Sequence, residues 1–325
     1  MMTAVVYTYA PSARHEDSGM GFNSSAWAAL AEAGLTRLTA PATEGGSGAG
    51  WPEAAALLVT LAEHAVPLPV AENDLLAGWL LRRAGRAVDD SVRTVCLLDS
   101  RGRARRVPWV RDTEQLTVAW RSGKQWLVDD VRAGSVCIRP GTNLAGEPRD
   151  DIDLDMELLS GAPVDAEVME ELAIRGGLIR AIQICGALDR MVGLCVDYAS
   201  TRKQFGRPIG RFQAVRTLLA DAAAESALAN AATVAAVDSV AGGSPDPFAV
   251  AVARSCANHA ASSVSRIAHQ VHGAIGTTAE HDLHRYTLAA QAWRSEYGST
   301  AQWDDLVGGM AAEAGGAELW ALLTG

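Results

Sequence analysis

Apolar and polar positions change rhythm twice along this chain. Ser25-Ala-Trp-Ala-Ala-Leu-Ala-Glu-Ala-Gly34 predicts a helix with Ser25 at its cap and Gly34 at its stop. The alanine- and leucine-rich residues 53–64, and residues 73–86, predict two more, with a turn at Pro67-Leu-Pro69 between them. Residues 1–25 read as irregular, and Ala40-Pro-Ala-Thr-Glu-Gly-Gly-Ser-Gly-Ala-Gly50 reads as a loop. From Ser91 the texture becomes that of short strands. Thr94 to Leu98, Ala104 to Pro108, Gln115 to Trp120 and Gln125 to Asp129 carry β-type residues split by Gly and Asp turns. From Val164 the chain turns helical to its end, with helices over 164–200, 210–241, 246–272 and 280–297 and a shorter one after 301. Gly242-Gly-Ser-Pro-Asp-Pro247 breaks the run. Long helices with short connections predict an antiparallel four-helix bundle. The fold class is therefore mostly α with a small β domain. Three domains are expected: N-terminal helices at 1–89, a short β domain at 90–155 and a helical bundle at 156–325.

Length, charge and cysteines narrow the picture. The chain has 325 residues and is 49% hydrophobic, enough for more than one packed unit. Its formal net charge of −10 argues against a nucleic-acid binder or a membrane-surface protein. No apolar run is long enough to span a bilayer, and the N-terminus lacks the apolar core of a signal peptide. Five scattered cysteines without metal-type spacing fit a reducing compartment, so a cytoplasmic protein is expected. His281 and His284 are the nearest approach to a metal pair, and with no third ligand beside them no metal is expected.

Chemistry concentrates in two blocks. The first is Tyr198-Ala-Ser-Thr-Arg-Lys-Gln-Phe-Gly-Arg-Pro-Ile-Gly-Arg-Phe-Gln213. Pro208 stops one helix near Gly206-Arg207-Pro208, and a second begins near Arg211. Arg202, Lys203, Arg207 and Arg211 make the connection strongly basic, which is either a solvated turn or an anion site. The second block is Gln270-Val-His-Gly-Ala-Ile-Gly276, followed by Glu280-His-Asp-Leu-His-Arg285. Glycines let backbone N–H groups approach a pyrophosphate, and arginine pairs with one bidentately.

These blocks, in this order and spacing, resemble the acyl-CoA dehydrogenase family, flavoenzymes that desaturate acyl-CoA thioesters. The likeness is clear over residues 160–300 and weaker elsewhere, including the Pro-x-x-x-Gly-Gly-x-Gly pattern of the 40–50 loop. The resemblance implies an N-terminal helical domain, a middle β domain and a C-terminal four-helix bundle. It implies that Arg202, Phe205, Gly206 and Gln213, with Gln270, Gly273 and Gly276, meet the pyrophosphate and adenine half of FAD held by a neighbouring subunit. Ala274 stands where the family has a second glycine.

The resemblance also locates gaps. The family's Thr-Glu-x-x-Ala-Gly-Ser-Asp loop, which contacts flavin and thioester, has no counterpart. The reaction needs a carboxylate to take the α-proton while the β-hydride goes to flavin. Most of the family carries it in a Glu-Gly-Thr turn, a position that falls here on Tyr297, with Glu296 one residue early. One residue turns a helical side chain by roughly 100°. A minority carries it on the first helix of the C-terminal domain, near Gly176 here, with Glu170 and Glu171 over a turn away. Glu280 and Asp282 are expected to cap or support. A chain with the adenine-side elements and without the base resembles the short subunit of actinobacterial heteromeric α2β2 acyl-CoA dehydrogenases acting on steroid side-chain thioesters. That implies a companion catalytic subunit, an acyl-CoA substrate and an electron-transfer flavoprotein as acceptor. Two rival readings stay open: a homotetrameric enzyme with Glu296 or Glu171 as a displaced base, and a non-catalytic scaffold that has lost flavin.

Overall fold

The computed structural model describes Val6 and residues 21–324. The irregular stretch expected at 1–25 therefore lies largely outside the described residues. By contacts the chain divides into two compact units, Met1–Arg175 and Gly176–Gly325.

In the first unit, helix α1 (Ser24–Glu32) is capped not by Ser25 but by Asn23, whose side chain accepts from the amide N–H of Ala26. Both serines fall inside the first turn, so the cap lies two residues upstream of the expected one. Helix α2 (Trp51–Glu63) opens on Gly50, whose backbone N–H donates to Glu53, with Pro52 in the first turn. Between them Gly46 lies so close to the backbone of Ala40 that a β-carbon would sit 2.1 Å from its carbonyl oxygen. Only glycine fits there.

Helix α3 departs from expectation. It begins as a π-helical segment, Ala71–Gly78, and becomes α-helical over Trp79–Arg83. The polar run Glu72-Asn73-Asp74 is buried there. Asn73 donates from its side chain to the Thr36 carbonyl and accepts from the amide N–H of Arg93, while Asp74 accepts from the amide N–H of Thr39. These side chains satisfy backbone groups of other segments, which is what makes their burial tolerable. The widened helix fits a segment that must present three consecutive polar side chains to the interior.

Seven strands follow: β1 (Arg93–Leu98), β2 (Arg103–Pro108), β3 (Gln115–Ser122), β4 (Gln125–Arg132), β5 (Cys137–Arg139), β6 (Arg149–Asp153) and β7 (Ala162–Val164). They form one sheet ordered β1-β3-β4-β7 and another ordered β2-β6-β5. β1 and β3 run parallel, while β3 and β4 form an antiparallel hairpin around Gly123. Their apolar faces share a core that includes Leu98, Leu116, Val118, Trp120 and Ile152. β7 pairs with β4, so sheet pairing continues past residue 155.

The helical half consists of α4 (Ala166–Thr201), α5 (Gln213–Asp238), α6 (Pro247–His272), α7 (Leu283–Trp293) and α8 (Thr300–Thr324), the last kinked at Gly315. The unit border falls within α4. Asp246 caps α6, accepting from the amides of Phe248 and Ala249, and Pro247 occupies the first helical position. The architecture is mostly helical with a small β region, as expected. No helix among the described residues is long and apolar enough to cross a membrane.

Candidate functional site: two exposed turns and a filled base position

The first block does not end its helix at Gly206. α4 stops at Thr201, and residues 203–208 form a two-stranded hairpin, β8 (Lys203–Gln204) against β9 (Arg207–Pro208). Its two-residue loop, Phe205-Gly206, has φ of +50° and +78°. Positive φ at both central residues is the signature of a type I′ turn. Glycine adopts it freely. Phenylalanine does so at a cost, yet its residue is 91% exposed and gains no core burial in return. The Phe205 ring meets that of Phe212 edge to face at 6.1 Å, and Arg207 lies 4.3 Å from the Phe212 ring centroid. Arg202 and Gln213 are exposed on either side of the hairpin. Among the described residues Arg202, Lys203, Arg207 and Arg211 have no carboxylate within ion-pair distance.

The second block begins where α6 ends. Gln270 is exposed on its last turn. Gly273 follows at φ +64°, ψ −145°, a backbone that side chains rarely adopt. Gly276 is buried, and a β-carbon there would lie 2.9 Å from both His272 Cβ and Leu283 Cδ2. Gly273 is thus needed for the turn and Gly276 for close packing beneath it. α7 is shorter than expected, so His281 lies ahead of the helix rather than on it, where Nδ1 accepts from the Leu283 amide. Asp282 holds the N-cap position without a side-chain cap bond and faces Arg285 at 3.5 Å. Among the described residues no group of three or more His, Cys, Asp or Glu side chains could hold a metal.

The structure brings the two blocks together. Tyr198, on the last turn of α4, stacks on His272 with centroids 4.6 Å apart, and His281 closes on His272 at 4.6 Å. The His272 imidazole is buried and donates from Nδ1 to the Ala268 carbonyl. Burial, and after it the nearby His281 and His269, hold its pKa below the usual histidine value, against the opposing pull of the Ala268 and Leu194 carbonyls. A neutral, packed ring anchors both turns.

The place where the resemblance expects a base has surroundings of the opposite kind. Gly176 and Tyr297 are in contact: a β-carbon on Gly176 would lie 2.2 Å from Tyr297 Cδ1. Glu296 accepts at 2.8 Å from Arg180 Nε, and the Arg180 side chain is 1% exposed. Arg254, fully buried, donates to the carbonyls of Trp293 and Glu296 at 2.6 and 2.8 Å and to Asn258 Oδ1 at 2.7 Å. It thereby satisfies the C-terminus of α7, where a cation also suits the helix dipole. Burial draws its guanidinium down to about 9, which leaves it charged at neutral pH. In the other unit Glu171 accepts from Arg175 Nε at 2.7 Å, and that guanidinium stacks 4.1 Å from the Trp79 ring and 5.5 Å from Trp51. Both acidic candidates are therefore engaged by arginine. Sequence reading missed Arg180 and Arg254. The signal was present as single arginines inside apolar helix runs, Leu178-Ile179-Arg180-Ala181-Ile182 and Val252-Ala253-Arg254.

The sequence profile described as "Acyl-CoA dehydrogenase, N-terminal domain" matches residues 4–88, and "Acyl-CoA dehydrogenase, C-terminal domain" matches residues 168–304. Acyl-CoA dehydrogenase IpdE2 of Mycolicibacterium smegmatis is 30% identical, over 83% of this chain and 82% of its own length. The chain belongs to the acyl-CoA dehydrogenase family. Another family relative, FadE27 of Mycobacterium tuberculosis, is 31% identical over 83% of each chain. A chain of the ChsE4-ChsE5 complex from Mycobacterium tuberculosis superimposes with a TM-score of 0.83 at 26% identity, covering 96% of this chain and 95% of that one. Acyl-CoA dehydrogenases are oxidoreductases that generally bind FAD. The exposed turns suit that cofactor's outer half: uncompensated guanidinium groups for a pyrophosphate, an uncovered aromatic ring and a side-chain amide for the adenosine.

Proposed function

We propose that this chain is the short subunit of a heteromeric α2β2 acyl-CoA dehydrogenase and completes the companion subunit's FAD site from the pyrophosphate and adenine side. The observation that carries the reading is the contrast between the motifs. The elements that would reach a neighbour's flavin are kept, apart from Ala274 in place of a second glycine, and Arg202, Phe205, Gln213 and Gln270 are exposed, while both places that could hold a base are filled by Tyr297 and Gly176. In this reading Arg202 pairs with the pyrophosphate, Phe205 and Gln270 cover the adenosine, and Gly206, Gln213, Gly273 and Gly276 shape the surface on which it rests. The bound flavin would accept the hydride. This chain's residues hold and orient its distal half, and the companion supplies the base and the thioester pocket. A steroid side-chain CoA thioester is the proposed substrate class and an electron-transfer flavoprotein the proposed acceptor, both resting on resemblance to the short subunits. A cytoplasmic location and the division at about residues 89 and 155 belong to the same proposal.

The likeness to a chain of a two-component complex supports the heteromeric arrangement. The test is the absorption spectrum and native mass of the chain purified alone and co-expressed with a companion acyl-CoA dehydrogenase from the same genome. The expected result is a colourless chain alone and a yellow mixed tetramer with two FAD. A chain that is yellow and active alone, and loses turnover in Glu296→Gln, would replace this reading with the homotetrameric one.

A further inference from the structure

Tyr297 reaches Gly176 from an unfavourable backbone. Its φ is +55°, a left-handed conformation that a bulky residue keeps only where its surroundings impose it. The surroundings do so from both sides. On one, Arg254 grips the Trp293 and Glu296 carbonyls, and Arg180 grips the Glu296 carboxylate, so the residue before Tyr297 is held through backbone and side chain at once. On the other, Gly298 follows at φ +113°. The Arg180 guanidinium also lies 5.5 Å from the centroid of the Tyr297 ring.

The receiving surface matches. A β-carbon on Gly176 would lie within 2.5 Å of three atoms of the Tyr297 ring. One on Gly177 would lie 2.6 Å from Cζ2 and Cη2 of Trp303. Two aromatic rings thus press on consecutive glycines inside the N-terminal third of α4, where glycine costs helix stability and needs a reason.

We propose that Tyr297 is a plug. Clamped by Arg180, Glu296 and Arg254, its ring fills the space that a base side chain would use from either position, and it closes this chain's own half of the assembly to acyl thioester. Gly176 admits the ring. The proposal deepens the half-site reading and rests on it for the meaning of the closed space. The contact itself is a property of this chain alone.

The test is a double-mutant cycle on the full chain in the assembly in which it purifies. Gly176→Ala should lower the melting temperature by about 2–10 °C, as overpacking does. In a Tyr297→Gly background the same substitution should cost less than about a third of that. Tyr297→Asn, which also tolerates left-handed backbone, serves the same comparison if the glycine variant does not fold. Free p-cresol, the tyrosine side chain as a molecule, should raise the melting temperature of Tyr297→Gly and leave the wild type unchanged, because a buried cavity accepts the ring it lost. Equal losses from Gly176→Ala in both backgrounds, no response to p-cresol, or calorimetric binding of four octanoyl-CoA per wild-type tetramer, rather than the two of the companion's pockets, would each overturn the plug. Four FAD per tetramer would instead remove the half-site reading and leave the Gly176–Tyr297 coupling standing.

Discussion

The two exposed turns and the Gly176–Tyr297 contact lie in the same helical unit and obey opposite rules. Around Gly176 and Tyr297 the charged groups answer others in the same chain, arginine to glutamate, guanidinium to helix-end carbonyls and ring to bare glycine, although Arg254 Nε, Asn258 Nδ2 and Trp303 Nε1 are buried without a hydrogen-bond partner among the described residues. At residues 202–213 and 270–276 cations lack carboxylates, an aromatic ring faces outward, and backbone strain is held at a hairpin tip with little packed against it. A region that satisfies itself is explained by stability. A region that holds costly features without internal return is explained by something outside the chain. In the proposed function, the contrast separates what this protein keeps for folding from what it would offer to a partner's cofactor.

The comparison breaks most visibly at Arg180. Arg180→Ala would leave the Glu296 carboxylate without its main partner in a largely buried setting, and the expected loss is about 3–5 kcal/mol of stability in urea unfolding. A loss below about 1 kcal/mol would show that the buried cluster is not self-supporting. Next comes Arg202→Ala on the exposed side. FAD retention in the assembly should weaken by about 1.5–3 kcal/mol, roughly tenfold or more by flavin titration, while unfolding stays within about 0.5 kcal/mol of the wild type. The reverse pattern, lower stability with unchanged flavin content, would erase the distinction between the regions.

A smaller effect lies at the ring that joins the two turns. The His272 pKa is depressed in the folded chain, so the unfolded chain binds the proton first as pH falls. The stability due to neutral His272 is thus fully present above about pH 6.5 and is lost as pH falls through the lower folded value. Denaturation midpoints measured from about pH 7.5 downward should show this slope, and His272→Asn should flatten it. The smallest expected effect is that of Phe205→Ala on the chain itself. Its ring is exposed, so the melting temperature should hardly move, whereas flavin content or assembly should fall. A drop in melting alone would mark Phe205 as a packing residue.

Much of this was legible in the chain. Apolar periodicity located the long helices and the four main strands because burial on one face leaves a period in the sequence. Glycine, proline and arginine spacing marked both turns because few residues meet their backbone and charge requirements. Other features were not legible, and each failure has a cause. Nothing in the sequence marks Glu72-Asn73-Asp74 as buried, yet the run is buried, and other segments bring amide and carbonyl groups to Asn73 and Asp74. Gly206 and Pro208 looked like a helix end. The chain turns back sooner because Phe205-Gly206 forms a two-residue hairpin whose geometry depends on φ, which composition only hints at.

By itself the sequence determined the helical and β regions, the two motif blocks and the absence of an acid at Gly176 and Tyr297, since these depend on residue type and local spacing. Only the tertiary structure decided that Tyr297 lies against Gly176, that Arg180 and Arg254 hold it there, and that Tyr198 and His272 join the two turns, because these contacts link residues far apart in the chain.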